Sequence, residues 1–233
     1  MSSSNASPPS SHSHVPIPFA HCHGMSEHPS AASKRAQLSS LTNKNPSSTP
    51  LTTHLIHGLA YTTGSALGST PPTIEQCLAA FVTPNKAGLT AGARAWSKHG
   101  HRSRPQMPEH IAGRDRECEC EVEQDLEQMM ERSKGWWGTP SGPVAIINAA
   151  ALGLFWKVMK GATWRNLHWL PHEVLVYEVR VEEGYGMRWA KDGAQQPLSP
   201  TLPREGQQQE RAWTLRGFVE PMMKNGHEVG WRH

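Results

Sequence analysis

The residues best suited to chemistry lie on an alternating stretch, Val174-Leu175-Val176-Tyr177-Glu178-Val179-Arg180-Val181-Glu182. Period-two alternation puts Glu178, Arg180 and Glu182 on one strand face, with Leu175, Tyr177, Val179 and Val181 on the other. Gly184-Tyr185-Gly186 then marks a turn, and Met187-Arg188-Trp189 returns. A three-residue loop at 183–185, with Gly184 left-handed, sets 182 opposite 186 and 180 opposite 188. A loop one residue shorter or longer would put Arg188 among the valines, because a single slip exchanges the faces. Arg216, on a later strand, joins Glu178, Arg180 and Arg188 on the polar face, and His227 in the tail borders it. Guanidinium groups so spaced would grip a carboxylate or phosphate bidentately, with Glu178 fixing their orientation. The plainer reading is a cross-strand charge lattice on a solvated face, contributing ~0.2–1 kcal/mol per pair.

Other reactive side chains carry weaker signals. His168 and His172 precede the long strand, while His227 and His233 lie in the tail. Two of them with Glu173 or Glu228 have the donor set of a zinc site with an open position for water. Pro171 argues against His168 and His172 sharing a helical face, so backbone-bonded histidines and no structural metal are expected. The tract His12, His14, His21, Cys22, His23 and His28 would bind metal only adventitiously. Cys118-x-Cys120 lacks the two-residue spacing of redox and zinc motifs, and its flanking carboxylates blunt thiol reactivity. Trp136-Trp137 beside Lys134 would suit single-stranded nucleic acid if the rings were exposed. Tryptophan in a small domain is more commonly core, which is the expectation adopted for both.

The elements that must position these residues follow from periodicity. Pro143 suits a first helical position, and residues 144–160 are apolar almost all round before Gly161. A helix greasy on every face must be covered by a sheet or by other helices. Asn148 and Lys157 within it separate it from a membrane span. Leu89, Ala93 and Trp96 mark an amphipathic helix ending near Gly100, and Val122, Leu126, Met129 and Met130 mark another. Thr73 would cap a short helix through Ala80. Strands are expected at 163–170, along 174–182, at 187–189 and from Trp213 onward. The sum is an α+β domain: a small antiparallel sheet of three or four strands, covered by one buried helix and one amphipathic helix.

Composition bounds the rest. Eight of the nine tryptophans fall at or after Trp136, so the folded part is placed at 88–233. Flexible insertions are expected there at 102–132 and 194–211. Residues 1–87 read as a mostly disordered Ser/Pro/His-rich tail, since 1–50 hold one aromatic residue, Phe19. The four cysteines all fall outside the apparent core, which points to a reducing compartment rather than a disulfide framework. A net charge of +3 is too small to argue for nucleic acid by itself. No apolar run approaches the ~18 residues of a membrane span, and residues 1–25 lack a secretory pattern. The cytoplasm or nucleus is the expected location, with a mitochondrial transit peptide as the alternative.

Trp136-Trp137-Gly138, Gly184-Tyr185-Gly186-x-Arg188-Trp189, Arg216-Gly217-Phe218-Val219-Glu220-Pro221 and Gly226-His227-x3-Trp231, with Leu89-Thr90-Ala91-x-Ala93-Arg94-Ala95, resemble a small family of uncharacterised eukaryotic proteins from fungi and plants. The resemblance covers 88–101 and 133–233 and implies a shared fold without a mechanism. The expected function is a non-catalytic intracellular domain that binds an anionic small molecule or a protein partner. Glu178, Arg180, Arg188, Arg216 and His227 would form its site. One alternative is a hydrolase of esters or phosphates, with His227 or His168 as general base and arginines stabilising charge. Another is an RNA-binding module. No cofactor, membrane or nucleic-acid partner is expected on the leading reading.

Overall fold

The structure is a computed structural model that describes residues 19–41, 49–103, 135–193 and 212–222. Five α-helices appear among the described residues: α1 (Ala31–Leu41), α2 (Pro50–Ile56), α3 (Ile74–Val82), α4 (Ala91–His99) and α5 (Val144–Lys160). A short 3-10 turn, Gly100–Ser103, extends α4. Four strands follow α5: β1 (Ala162–Leu170), β2 (Val174–Val181), β3 (Gly186–Lys191) and β4 (Thr214–Val219). They form one antiparallel sheet in the order β1-β2-β3-β4. This is the expected α+β architecture. The helix expected around Val122–Met130 and the insertion at 194–211 lie outside the described residues.

Local chemistry explains the helix starts. Thr73 and Gln76 form a reciprocal capping box: Gln76 N donates to Thr73 Oγ1 at 3.2 Å, and Thr73 N donates to Gln76 Oε1 at 2.9 Å. Thr90 caps α4 by accepting from Ala93 N. Asn148, the polar residue inside the apolar α5, clamps the approach to α4. Its Oδ1 accepts from Thr90 N at 3.0 Å and its Nδ2 donates to Gly88 O at 2.9 Å. Pro143 is the N-cap of α5, one residue before the position expected for it.

The apolar face of the sheet carries the core. Leu167, Leu175, Tyr177, Val179, Met187, Trp189 and Phe218 pack against Cys77, Phe81, Ala93, Trp96, Ala151, Phe155 and Val158 of the helices. Indole donors are satisfied inside it: Trp189 Nε1 donates to Cys77 O at 3.1 Å, and Trp96 Nε1 to Trp137 O at 2.9 Å. The N-terminal half of α5 departs from expectation. Val144 and Ile146 are exposed, so the covering layer reaches only its C-terminal half, where Phe155 and Val158 are fully buried.

The larger departure concerns residues 19–87, expected as mostly disordered. Three helices form there, and the segment closes the free edge of β1. Thr163, the extra residue of a β1 bulge, accepts from His21 N and donates through Oγ1 to His21 O at 2.7 Å. Ala60 N donates to Arg165 O, Ala66 N to Leu167 O, and Trp169 N to Gly64 O. Cys22 and Ala60 cover Trp164 on the polar face, while Cys77 enters the main core. Aromatic content misplaced the domain boundary because this segment is anchored by backbone pairing and small side chains. A buried Arg35–Glu27 pair, with Arg35 also donating to Leu59 O, adds to that anchoring.

Gly92 tests the packing of α3 on α4. A Cβ there would lie 2.0 Å from Phe81 Cζ, and Phe81 is itself held by Phe155 at a centroid distance of 5.1 Å. Alanine gains up to ~1 kcal/mol of helix propensity, against roughly 1–3 kcal/mol for overpacking. Gly92→Ala is therefore expected to lower the urea midpoint. A midpoint at or above wild type would show that the ring moves aside freely.

Candidate functional site

The β2–β3 hairpin decides what meets what. Its loop has three residues, as expected, but they are 182–184: Val181 N donates to Tyr185 O at 2.9 Å. Gly184, with φ +95°, closes the loop rather than sitting at its centre. The register is therefore two places from the expected one, with Glu178 opposite Arg188 and Arg180 opposite Gly186. A two-place change preserves the faces, so Glu178, Arg180 and Arg188 still share one side. Glu182 lies exposed in the turn, outside the group.

Glu178 sits between the two arginines. Its Oε1 accepts from Arg180 Nε at 2.6 Å, and its Oε2 accepts from Arg188 Nε at 2.7 Å and from Arg188 Nη2. Arg180 Nη1 also donates to Gly184 O at 2.6 Å and Glu220 O at 2.7 Å, tying β2 to the turn and to the chain just after β4. Gly186 makes room for this: a Cβ there would meet Val179 O at 2.1 Å and Arg180 Cγ at 2.8 Å. Glu178 and Arg180 are 2% and 1% exposed, so the solvated charge lattice is corrected to a buried network. Burial alone would raise the Glu178 carboxyl, but Arg180 and Arg188, by charge and hydrogen bonds, hold it below the usual value.

The three arginines then divide. Arg180 is consumed by structure and is not a ligand donor. Arg188 keeps 24% of its side chain exposed, and its Nη1 has no hydrogen-bond partner among the described residues. Arg216 has no hydrogen bond or ion pair to Glu178 among the described residues. A β3–β4 bulge pairs Arg188 with Gly217 and Trp189 with Leu215, leaving Arg216 as the extra, exposed residue. Simple alternation missed that bulge. Gly217, at φ +139°, was its one sequence signal. His227 lies outside the described residues.

His168 occupies the same sheet face, on β1 opposite Val176 and diagonal to Glu178. Burial lowers its pKa; the nearby Glu178 charge opposes this and Arg188 adds to it. Its Nδ1 is buried without a partner among the described residues. Ser65 bridges to His168 through the backbone, and Thr62 Oγ1 lies 3.4 Å from Asn166 Nδ2, so the N-terminal segment forms one wall of the site. His172 and Glu173 stand apart on an exposed turn with positive φ.

Other sequence candidates resolve separately. Trp137 is core, edge-on to Phe218 at 4.5 Å. Trp136 is half-buried and its ring is already engaged: Tyr185 stacks at 4.9 Å and Lys157 Nζ lies 3.6 Å from its centroid. Neither ring is a free stacking platform. Burial pushes the Cys22 thiol up to about 11 and the Cys77 thiol to about 12, which suppresses the thiolate at both. Among the described residues no group of three His, Cys, Asp or Glu side chains is placed to hold a metal ion. No described helix is long and apolar enough to cross a membrane. A hollow of about 360 Å³ lined by Gln76, Ala79, Thr83 and Trp213 contains none of the Glu178 group.

Residues 114–196 match the family model of the CdiA C-terminal tRNase toxin domain. The match takes in α5, β1, β2 and β3, hence His168, Glu178 and Arg188, and amounts to about a third of the chain. No curated protein and no solved structure matches the chain. A family described by tRNA cleavage overturns the expectation of a non-catalytic domain for an anionic ligand or protein partner. It equally overturns the exclusion of nucleic acid, and the description of the chain as an uncharacterised eukaryotic protein. Net charge is a whole-chain sum, blind to where the cations sit, and excludes no partner by itself.

The buried carboxylate gives a pH-dependent prediction. Its folded pKa is depressed, so its stabilising contribution is full above the unfolded value of about 4.3 and is lost as pH falls through the folded value. Glu178→Gln should cost roughly 3–5 kcal/mol at neutral pH by leaving both guanidiniums without a counter-charge. Chemical denaturation between pH 7 and 3 should show the gap between the two proteins narrowing toward acid. A gap that stays constant would mean that Glu178 is not held ionised.

Proposed function

We propose that the chain is a ribonuclease that cuts tRNA. Arg188 is its phosphate-binding cation, Glu178 positions that cation, and His168 is the proton acceptor. The observation that carries the reading is the family-model match across the helix and three strands that bear all three residues.

The local chemistry supports this division of roles. Both Glu178 oxygens are taken by arginines and its carboxyl is held ionised, so it is a positioning residue rather than a base. His168, with its pKa depressed by burial, is neutral near pH 7 and able to accept a proton. RNA carries its own nucleophile in the 2′-hydroxyl. Loss of that proton to His168 lets the 2′-oxygen bond to phosphorus. The bond from phosphorus to the 5′-oxygen then breaks, and that oxygen takes a proton from the imidazolium or from water. Negative charge grows on the non-bridging phosphate oxygens, the place for Arg188.

Purified full-length chain incubated with unfractionated tRNA should yield fragments ending in 2′,3′-cyclic phosphate. His168→Ala should slow cleavage about 100-fold or more with circular dichroism unchanged. Arg188→Ala should slow it as much while also lowering the melting temperature, since it leaves Glu178 with one guanidinium. Because the His168 pKa is lowered, the rate should hold as pH drops through the ordinary imidazole value of about 6.5 and fall only below it. Intact tRNA after prolonged incubation with an equimolar amount of wild-type protein would remove the reading.

A further inference from the structure

The strongest charge segregation in the described chain lies on α4, away from the Glu178 site. Between Gln76 and Ser103 the sequence has no Asp or Glu, yet it contains Lys86, Arg94, Lys98 and Arg102 together with His99 and His101. The buried side of α4 is Gly92, Ala93 and Trp96, continued by Gly100. Arg94 and Lys98, four residues apart, therefore share the opposite face, and His101 and Arg102 continue it on the 3-10 turn; all four are exposed. None of the four forms an ion pair with a described residue.

The elements packed on α4 do not neutralise this face. Those elements are α3, α5, β4 and the 3-10 turn. α5 and β4 contain no acid and contribute Lys157, Lys160 and Arg216; α3 contributes Glu75, in its first turn. Among the described residues the further acid whose charge reaches His101 and Arg102 is Glu220, which is 8% exposed and has its carboxyl raised by burial. A helix C-terminus attracts cations on its own account, which explains Lys98 and His99. It does not explain Arg94, in the first half of the helix, or Arg102, beyond its end.

We propose that Arg94, Lys98, His101 and Arg102 form a docking surface for the phosphate backbone of a folded RNA, holding it while a phosphodiester is presented to Arg188 and His168. The inference rests on the proposed tRNA cleavage and adds to it a second, non-catalytic contact. Exposed cations that pair with no acid among the described residues are the arrangement that releases counterions from a polyanion, and they confer affinity without base specificity.

The test uses the full chain and the variant Arg94→Gln/Lys98→Gln, whose two side chains are solvent-exposed, with Arg94→Gln/Lys98→Gln/Arg102→Gln as a second step. Binding of fluorescently labelled tRNA is followed by anisotropy from 50 to 300 mM salt, and cleavage of a dinucleoside phosphate is measured in parallel. The triple variant should bind tRNA at least about tenfold more weakly. The slope of log K against log salt should be smaller by about 2–3, and dinucleoside cleavage should be unchanged. Equal affinity and slope in all three proteins overturn the docking surface even when tRNA is cleaved. Absence of tRNA binding by wild type at 50 mM salt also overturns it. Tight, variant-sensitive binding by a protein that cuts neither substrate keeps the surface and discards the proposed activity.

Discussion

A carboxylate held out of water between two guanidinium groups is the constraint on which the rest of this sheet depends. Removing Glu178 from solvent is expensive unless its lone pairs and its charge are both matched. Arg180 and Arg188 do this with three hydrogen bonds from opposite sides. Arg180 then spends its remaining reach on Gly184 O and Glu220 O, so one side chain links the central strand, the hairpin turn and the exit from β4. The glycine at 186 follows from this, because any side chain there would collide with Val179 O and the Arg180 stem. Arg188, which Glu178 anchors through Nε and Nη2, keeps about a quarter of its side chain exposed. The interaction that organises the strands thus also orders Arg188, the cation assigned to phosphate in the proposed function.

The sheet's two faces serve different ends. One is sealed by α3, α4 and α5 into a tryptophan- and phenylalanine-rich core. The other carries the ionic network and is bounded by the N-terminal segment, which lines the outer edge of β1. An uncovered edge strand is a template for unwanted pairing, and bonds from His21, Ala60 and Ala66 remove that hazard. The same segment brings Thr62 and Ser65 beside Asn166 and His168. Cleavage chemistry on this face and RNA docking on α4 would engage separate parts of a polymer long enough to reach both.

Much of this was legible in the chain. The periods of α4, α5 and β2 gave their positions, the capping residue Thr73 the start of α3, and the alternation at 174–182 the shared face of Glu178, Arg180 and Arg188. Strict alternation past Trp213 fails because a bulge adds one residue at Arg216. Residues 19–41 and 49–87 were misread because their order comes from backbone bonds to a strand about a hundred residues later. Polar composition carries no trace of such bonds.

Which side chains face together was therefore set by local periodicity, since pleat and helical turn are properties of neighbouring residues. Which of them are buried, which are spent on structure and which stay open to a ligand was decided by tertiary packing. Glu178 and Arg180 look like surface charges until the N-terminal segment and the chain after β4 close over them. Only then does a charged pair become a buried network with one cation left over, because desolvation depends on everything that surrounds a group rather than on its place in the sequence.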